Sequence, residues 1–518
     1  VNSRALKLGL YGALSLIVLF PVLTVQVPAL GDTINHVARM HILAAGAGSP
    51  ARHFYAVRWT LTPYLAMDAI VPILAQVMPV MVAAGVFIGA CLLMPVVAVA
   101  VLHWEVRGRI GLVPAAAFLL SQNTLFGFGF LNFLFMSGLA VMLFAGWIGT
   151  ATWPRWRRVP LFALGVLLLY LGHVFACAGY CLAVAGFEIA RAIRGRFQPW
   201  RMVVLDWLTA AAQAVPALLL VPFFDRGQVA VGAAVTDYGS LAARLMAIAS
   251  PVLWRTDQVG GLVVLAVFAG LLLLGVRSRI DASVWPAALL LALVSLAVPH
   301  VTAGVWGTDL RLPLIACMLA LGGLSVRLPR RSGALVLAAV TLLVVLKSVD
   351  GSAMLWHLDQ RITETRQVLK SLPAGSRLLV MDDTGLLESE PGVTPNALWH
   401  IPMLAVIDRD AFLPYLFTGF MTVHPRDAVR DGTTPSGRPV DAAELADGLR
   451  HADVPGAMLP DGRGGRIYWY GWPHKFDYLL VQHATSRTAL PGDLQLVAAS
   501  AVADLYKIKP VPSPQPNP

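Results

Sequence analysis

Long apolar runs dominate the first two thirds of the chain, broken by short segments that carry arginine. They fall near residues 8–29, 82–102, 110–125, 128–149, 159–190, 203–223, 259–276, 283–299, 312–326 and 332–348. A bilayer core of about 30 Å takes about 20 apolar residues per helix. The 159–190 run is too long for one crossing. Arginines flank it on both sides (Arg155, Arg157 and Arg158; Arg191, Arg194 and Arg196), which calls for an even number of crossings, and the break is predicted near Gly172–His173. The pattern therefore predicts about eleven transmembrane helices over residues 1–348.

From residue 349 the periodicity changes. An amphipathic helix is expected over 352–372, leading out of the last span. Strands are expected at 377–381, 476–483, 494–500 and 503–509, the last two joined by a tight turn. A helix is expected over 441–450, with Asp441 as N-cap and Glu444 three residues on, the capping-box spacing. The fold class is thus a polytopic α-helical membrane protein with a C-terminal extracytoplasmic α/β domain over 349–509. A Pro-rich, disordered end follows at 510–518.

Two connections exceed what a turn requires. The first, 30–80, has helical spacing at both ends, with Trp59 and Tyr64 suited to the headgroup region, so its helices are expected to lie at the membrane interface. The second spans 224–258, with helical spacing over its middle.

Composition sharpens this picture. The chain is 57% hydrophobic and 13% charged, with a mean hydropathy of +0.69. Soluble domains are about 25% charged, so a soluble enzyme, a disordered chain and a coiled coil are excluded. Residues 1–348 hold 24 Lys/Arg against 10 Asp/Glu, and residues 349–518 hold 15 against 19. The basic excess belongs to membrane loops rather than to a nucleic-acid surface. With the N-terminus inside, segments 1–7, 103–109, 150–158, 191–202, 277–282 and 327–331 carry 16 of those 24 cations, as the positive-inside rule asks. An odd number of crossings puts the C-terminal domain outside. In a bacterial inner membrane that side is the periplasm. The first run has a faint signal-peptide character ending at Ala29, but its length and the spans that follow favour an uncleaved anchor. All four cysteines lie in the apolar part, leaving no disulfide framework or zinc site in the tail.

The densest chemistry follows the first span, in Asp32-x-x-x-His36-x-x-Arg39-x-His41. On a helix, Asp32, His36 and Arg39 share one face. A carboxylate at the mouth of a membrane domain suits a general base, an arginine suits a phosphate, and a histidine can serve either or bind a metal. The competing reading makes Asp32 an ordinary N-cap and Arg39 a snorkelling surface residue. Asp68 lies in an otherwise apolar stretch and needs Arg39 or Arg58 as partner unless it faces water.

An acidic residue in the first outside loop, just past the first of about eleven spans, resembles the GT-C superfamily of membrane glycosyltransferases. That group includes oligosaccharyltransferases, protein O-mannosyltransferases and lipid A aminoarabinose transferases. The long first loop and the C-terminal outside domain match as architecture, and the His36/Arg39 spacing is similar to uncharacterised bacterial members. The resemblance implies inverting transfer from a polyprenyl-phosphate-linked sugar to a glycan, lipid or protein acceptor. Asp32 would be the base that deprotonates the acceptor hydroxyl, with His36 orienting or donating. The paired acidic motif of the mannosyltransferases and the Trp-Trp-Asp motif of the oligosaccharyltransferases are absent, so donor sugar and acceptor do not transfer with the architecture.

Such a reaction needs cations for the leaving phosphate. Outside-facing candidates are Arg39, Arg58, Arg255 and Arg311, with His173 near the outside end of its helix. Asp309 and His300 flank Arg311, and His41 and Asp68 are supporting candidates. Asp237 and Tyr238 read mainly as loop residues. Asn123 and Asn132, in a Phe- and Gly-rich stretch, read as packing elements. Cys177 and Cys181 form no metal site by themselves. Asp382 and Asp383 read as a polar turn, and the aromatic run 468–472 suits either a sugar-stacking surface or a core. No cofactor is required, although a divalent metal is compatible with the chemistry. No P-loop, nucleophile elbow or zinc motif occurs. The rival expectations are a lipid-linked glycan flippase or transporter, an O-antigen polymerase or ligase, and a non-enzymatic envelope polysaccharide assembly protein.

Overall fold

The computed structural model describes residues 4–197, 199–223, 236–253, 277–302, 305–383, 395–418, 422–434, 437–451, 467–483 and 490–509. The expected span at 259–276, Arg255, both ends of the second loop (224–235 and 254–258) and the 510–518 end lie outside the described residues. The protein is a polytopic α-helical segment joined to a distinct C-terminal α/β region. Five helices among the described residues are long and apolar enough to cross a membrane, and six if the bent pair Trp200–Ala212 and Val215–Phe223 counts as one.

The predicted break at His173 is present. One helix runs Arg155–Gly172 and the next Val174–Arg194, with His173 extended between them. Trp285–Ala297 and Arg311–Gly323 are 13-residue helices, about 20 Å at 1.5 Å per residue. The last apolar run and the expected tail helix are one 40-residue helix, Arg330–Leu369, about 60 Å long. It joins the two regions without a hinge loop.

The run at 110–125 departs from the expected helix. It holds an 8-residue 3-10 segment, Val113–Leu120, and a four-residue helix, Thr124–Gly127. Helices Val80–Arg107 and Leu131–Gly149 pack in parallel, with Gly138 against Met94 and Gly149 against Glu105. The chain between them must therefore return along the whole length of the bundle. It does so in contact with the first helix: the Tyr11 hydroxyl donates to the Gly111 carbonyl, and Gln122 Nε2 donates to the Val18 carbonyl. Irregular backbone at membrane depth is tolerated only when buried in protein with its polar groups met. Most of residues 114–126 are buried. Lys347 Nζ donates to the Leu119 carbonyl at 2.7 Å and to the Val252 carbonyl at 3.0 Å, and Asn123 caps the short helix.

The described residues form ten strands, in chain order β1 (Tyr55–Val57), β2 (Arg277–Ile280), β3 (Val301–Thr302), β4 (Val305–Trp306), β5 (Leu324–Arg327), β6 (Leu378–Asp383), β7 (Val423–Pro425), β8 (Tyr478–His483), β9 (Leu494–Ala499) and β10 (Ala503–Ile508). The tail sheet has the order β6-β8-β10-β9, with β6 and β8 parallel and the other pairs antiparallel. All four expected tail strands are present. The helix Ala442–Arg450 starts on the full capping box of Asp441 and Glu444. The aromatic run is core: Tyr468, Trp469 and Trp472 are buried, and Trp472 Nε1 donates to the Leu445 carbonyl.

The first end of the first loop is not the surface helix expected of an interfacial one. Its helix Thr33–Ala44 is buried on two faces. Val37 and Met40 belong to the core of the bundle, while Ile34, Ala38 and Ile42, at i, i+4 and i+8, belong to the core of the tail. A helix apolar on both sides is an inner element. β1 of the same loop pairs antiparallel with β7 of the tail, Ala56 opposite His424. The loop thus forms the seam between the two cores.

Candidate functional site

Asp32 owes its place to a close backbone approach. The amides of Gly31 and Asp32 donate to the carbonyls of Gly127 and Phe128 at 2.9 and 3.0 Å. A Cβ on Gly31 would overlap the Phe128 carbonyl, and one on Gly129, whose φ is +78°, would stand 2.8 Å from the Asp32 nitrogen. Glycine at both positions lets the chain leave the first long helix and start the next against the irregular return segment.

Asp32 holds the N-cap position of Thr33–Ala44, yet its side chain makes no capping bond, and its backbone is helical at φ −85° and ψ 0°. The carboxylate is about 20% exposed. Its nearest side-chain partner from the tail is His400, whose Nε2 lies 3.6 Å away. His400 was not among the sequence candidates. A histidine within the apolar stretch 398–404 was its only signal.

Asn35 fixes the His400 ring. The Phe417 amide donates to Asn35 Oδ1 at 2.8 Å, which identifies the other amide atom as nitrogen. That nitrogen donates to the Tyr415 carbonyl and meets His400 Nδ1, both at 3.2 Å. Nδ1 must then accept, so the ring proton sits on Nε2, facing Asp32. His36 lies one turn along. Its Nδ1 accepts from Arg39 Nη1 at 3.0 Å. Burial first, and then the Arg39 charge, push His36 down to about 4.

Arg39 differs from its expected role. Its side chain is 0% exposed, and Nη2 reaches both oxygens of Asp68 at 2.5 Å. Thr422 Oγ1 of the tail also donates to Asp68. Arg39 is a sealed strut with Asp68, so the expectation of an open phosphate-holding arginine is corrected. His41 points away from the site and pairs with Asp410 of the tail at 2.8 Å. Arg58 is exposed, its amide bonded to the Thr422 carbonyl, and its guanidinium joins none of these groups.

Arg311 does come to the site. It opens the helix Arg311–Gly323, stacked between Phe130 at 4.6 Å and Phe175 at 4.8 Å. Nη1 donates to the carbonyls of Trp306 and Gly307, while Nε has no partner among the described residues. Asp32 and Tyr64 both lie near enough for their charges to act on it. The Phe175 amide donates to His173 Nδ1, and the His173 ring stands edge-on to Tyr64 at 4.9 Å. Asp309 holds His300 Nδ1 at 2.9 Å, and the His300 ring packs on Trp306. These two residues brace the β3–β4 turn ahead of Arg311. Asn132 accepts from the Met67 amide and donates to the Tyr64 carbonyl, tying the first loop to the bundle.

Beside the buried knot of Arg39, Asp68 and Thr422 runs a shallow, mostly apolar groove of about 320 Å³, lined by Trp59, Asp68, Ala69, Pro72, Ile73 and Gln76. Among the described residues no group of three or more His, Cys, Asp or Glu side chains is arranged to hold a metal. The arrangement is one open carboxylate with an imidazole N–H aimed at it and a stacked guanidinium nearby. Such a set can take a proton from a hydroxyl and hold an anion. The chain matches no protein-family model and no curated protein.

Proposed function

We propose that the protein is an inverting membrane glycosyltransferase acting on a polyprenyl-phosphate-linked sugar. Asp32 takes the proton of an acceptor hydroxyl. The freed oxygen attacks the anomeric carbon, the bond from that carbon to the phosphate oxygen breaks, and the lipid phosphate leaves beside Arg311 and His173. The tail, which supplies the groups opposite Asp32, contributes to acceptor binding, the acceptor being a glycan, lipid or protein on the same face.

One observation carries the reading. Asp32 occupies a helix start without capping it, and its carboxylate stays accessible next to His400 and within the field of Arg311. The apolar groove beside the loop suits a lipid chain.

In this reading the bundle crosses a bacterial inner membrane eleven times, with the N-terminus cytoplasmic and the tail periplasmic. The irregular return at 110–128 and the two 13-residue helices supply crossings beyond the long helices. The ion pairs of Arg107 with Asp281 and of Arg155 and Arg191 with Asp206 belong to the connections at the end away from the tail, in keeping with a cytoplasmic face.

The test uses purified protein in lipid nanodiscs, offered a panel of polyprenyl-phosphate sugars, with free polyprenyl phosphate quantified. Release is expected from at least one donor and should drop about 10²–10⁴-fold in Asp32→Asn. Equal release by wild type and Asp32→Asn removes the general base. Transbilayer movement of a lipid-linked glycan without release would establish the flippase instead.

A further inference from the structure

His400 reaches across the seam between two regions more than 360 residues apart in sequence, and nothing in its own stretch of chain requires it to. Its Nδ1 is occupied by Asn35, a residue of the same helix that Asp32 begins. Its ring is buried and held edge-on by Phe417 at 5.1 Å. What remains is one N–H, its nitrogen 3.6 Å from Asp32 Oδ1. That separation is slightly beyond a hydrogen bond, and such contacts commonly tighten only when the substrate is bound. Asn35 is satisfied on every side: Oδ1 by the Phe417 amide, and Nδ2 by the Tyr415 carbonyl and His400. The network is a rigid holder in which the bundle-side helix fixes a tail imidazole and the imidazole faces the first residue of that helix.

We infer that His400 is a positioning residue for the Asp32 carboxylate, its Nε2–H presented by Asn35, so that the site is complete only with the tail docked. The inference rests on the reading of Asp32 as the functional carboxylate. The N–H orients the carboxylate toward the acceptor hydroxyl, leaving Oδ2 free to take the proton. The other ionisable groups facing this pair are His36 and, more distantly, Arg311, neither of which touches His400 Nε2.

The experiment has two arms, both on the full chain in nanodiscs. In the first, polyprenyl-phosphate release is measured for His400→Phe and His400→Gln. Phenylalanine keeps the ring volume without the N–H, whereas glutamine can place an amide N–H near the same point. His400→Phe should lose kcat tenfold or more with KM changed less than twofold, and His400→Gln should recover most of it. Wild-type kcat in His400→Phe overturns the inference, as does equal loss in both variants with unchanged thermal unfolding. The second arm needs no turnover. In protein carrying ¹⁵N-labelled histidine, His400 should be protonated at Nε2, and its signal should move on Asp32→Asn but not on the distant Asp410→Asn. An Nδ1-protonated ring, or a signal indifferent to Asp32→Asn, overturns the pairing. If no donor is turned over by wild type, the glycosyltransferase reading falls, and the second arm still decides whether His400 and Asp32 form a pair.

Discussion

Among the described residues two α-helices have an aspartate at the N-cap, and the two aspartates do different work. Asp441 starts the tail helix in an extended conformation, ψ 176°, accepts from the Glu444 amide, and receives the Glu444 side chain on its own amide. Asp32 starts the seam helix with a helical backbone that turns its carboxylate away from the orphan amides. The first carboxylate is used up by local structure. The second has its backbone fixed by the bonds of Gly31 and Asp32 to the Gly127 and Phe128 carbonyls, and its carboxylate, free of any capping bond, faces His400 instead. A third carboxylate, Asp68, marks the other extreme, wholly consumed by Arg39 and Thr422. Within one loop, then, one acid is closed off as structure and another is left open, and the open one is where chemistry is to be sought.

Breaking the closed pair should have the largest effect. Arg39→Leu leaves Asp68 charged, buried and without its cation, a loss of about 3–5 kcal/mol, read as a fall in the unfolding midpoint in detergent. The double variant Arg39→Leu/Asp68→Leu should recover part of it, since neither charge is then stranded. An Arg39→Leu protein as stable as wild type would mean that the knot does not hold the seam.

Next comes the acid response of the seam. His36 is held neutral down to about 4 in the folded protein, whereas an unfolded histidine takes its proton near its ordinary value of about 6.5. Between those two pH values the unfolded chain binds more protons than the folded one. This contribution is therefore fully present above about 6.5 and is lost as the pH falls toward 4. His36→Gln, which still offers Arg39 an acceptor, should lose less thermal stability than wild type between pH 6.5 and 4.5. Parallel losses in the two proteins would show that His36 does not titrate as its surroundings demand.

These effects bear on how much of the molecule was readable in advance. The capping box at Asp441, the four tail strands and the break at His173 were legible because each is written in adjacent residues: a capping spacing, an alternation, an arginine on either side of an overlong run. The link from Asp68 to Arg39 was legible as one of three options, because a carboxylate in an apolar stretch must find a cation or water. The two-sided burial of Thr33–Ala44 was not, since an apolar stripe says that a face is covered without saying by what. The pairing of β1 with β7 and the arrival of His400 opposite Asp32 depend on contacts hundreds of residues apart, which leave no local mark. The run at 110–125 reads as a span in composition. The parallel packing of its neighbours and the Lys347 bond to the Leu119 carbonyl show that it returns along the bundle without a regular helix.

Gly129→Ala probes the backbone support of Asp32 with a smaller effect. The added Cβ meets the Asp32 amide and forces a positive φ on an L-residue, together about 1–2 kcal/mol. Because the displaced group is Asp32 itself, release of polyprenyl phosphate should fall further than stability does. Loss of both in step would reduce Gly129 to a folding residue.

The smallest effect returns to the two helix starts and tests the comparison directly. Asp441→Ala removes a bonded cap and should destabilise the tail by about 1 kcal/mol. Asp32→Ala removes a carboxylate that bonds no amide of its helix and should leave stability within about 0.5 kcal/mol of wild type. The unfolding midpoints of the two variants, taken side by side under one set of conditions, should therefore separate in that order, while the activities separate in the opposite order. If Asp32→Ala is the more destabilising, the Asp32 carboxylate carries structural weight after all, and the ordinary N-cap reading regains its claim on this position.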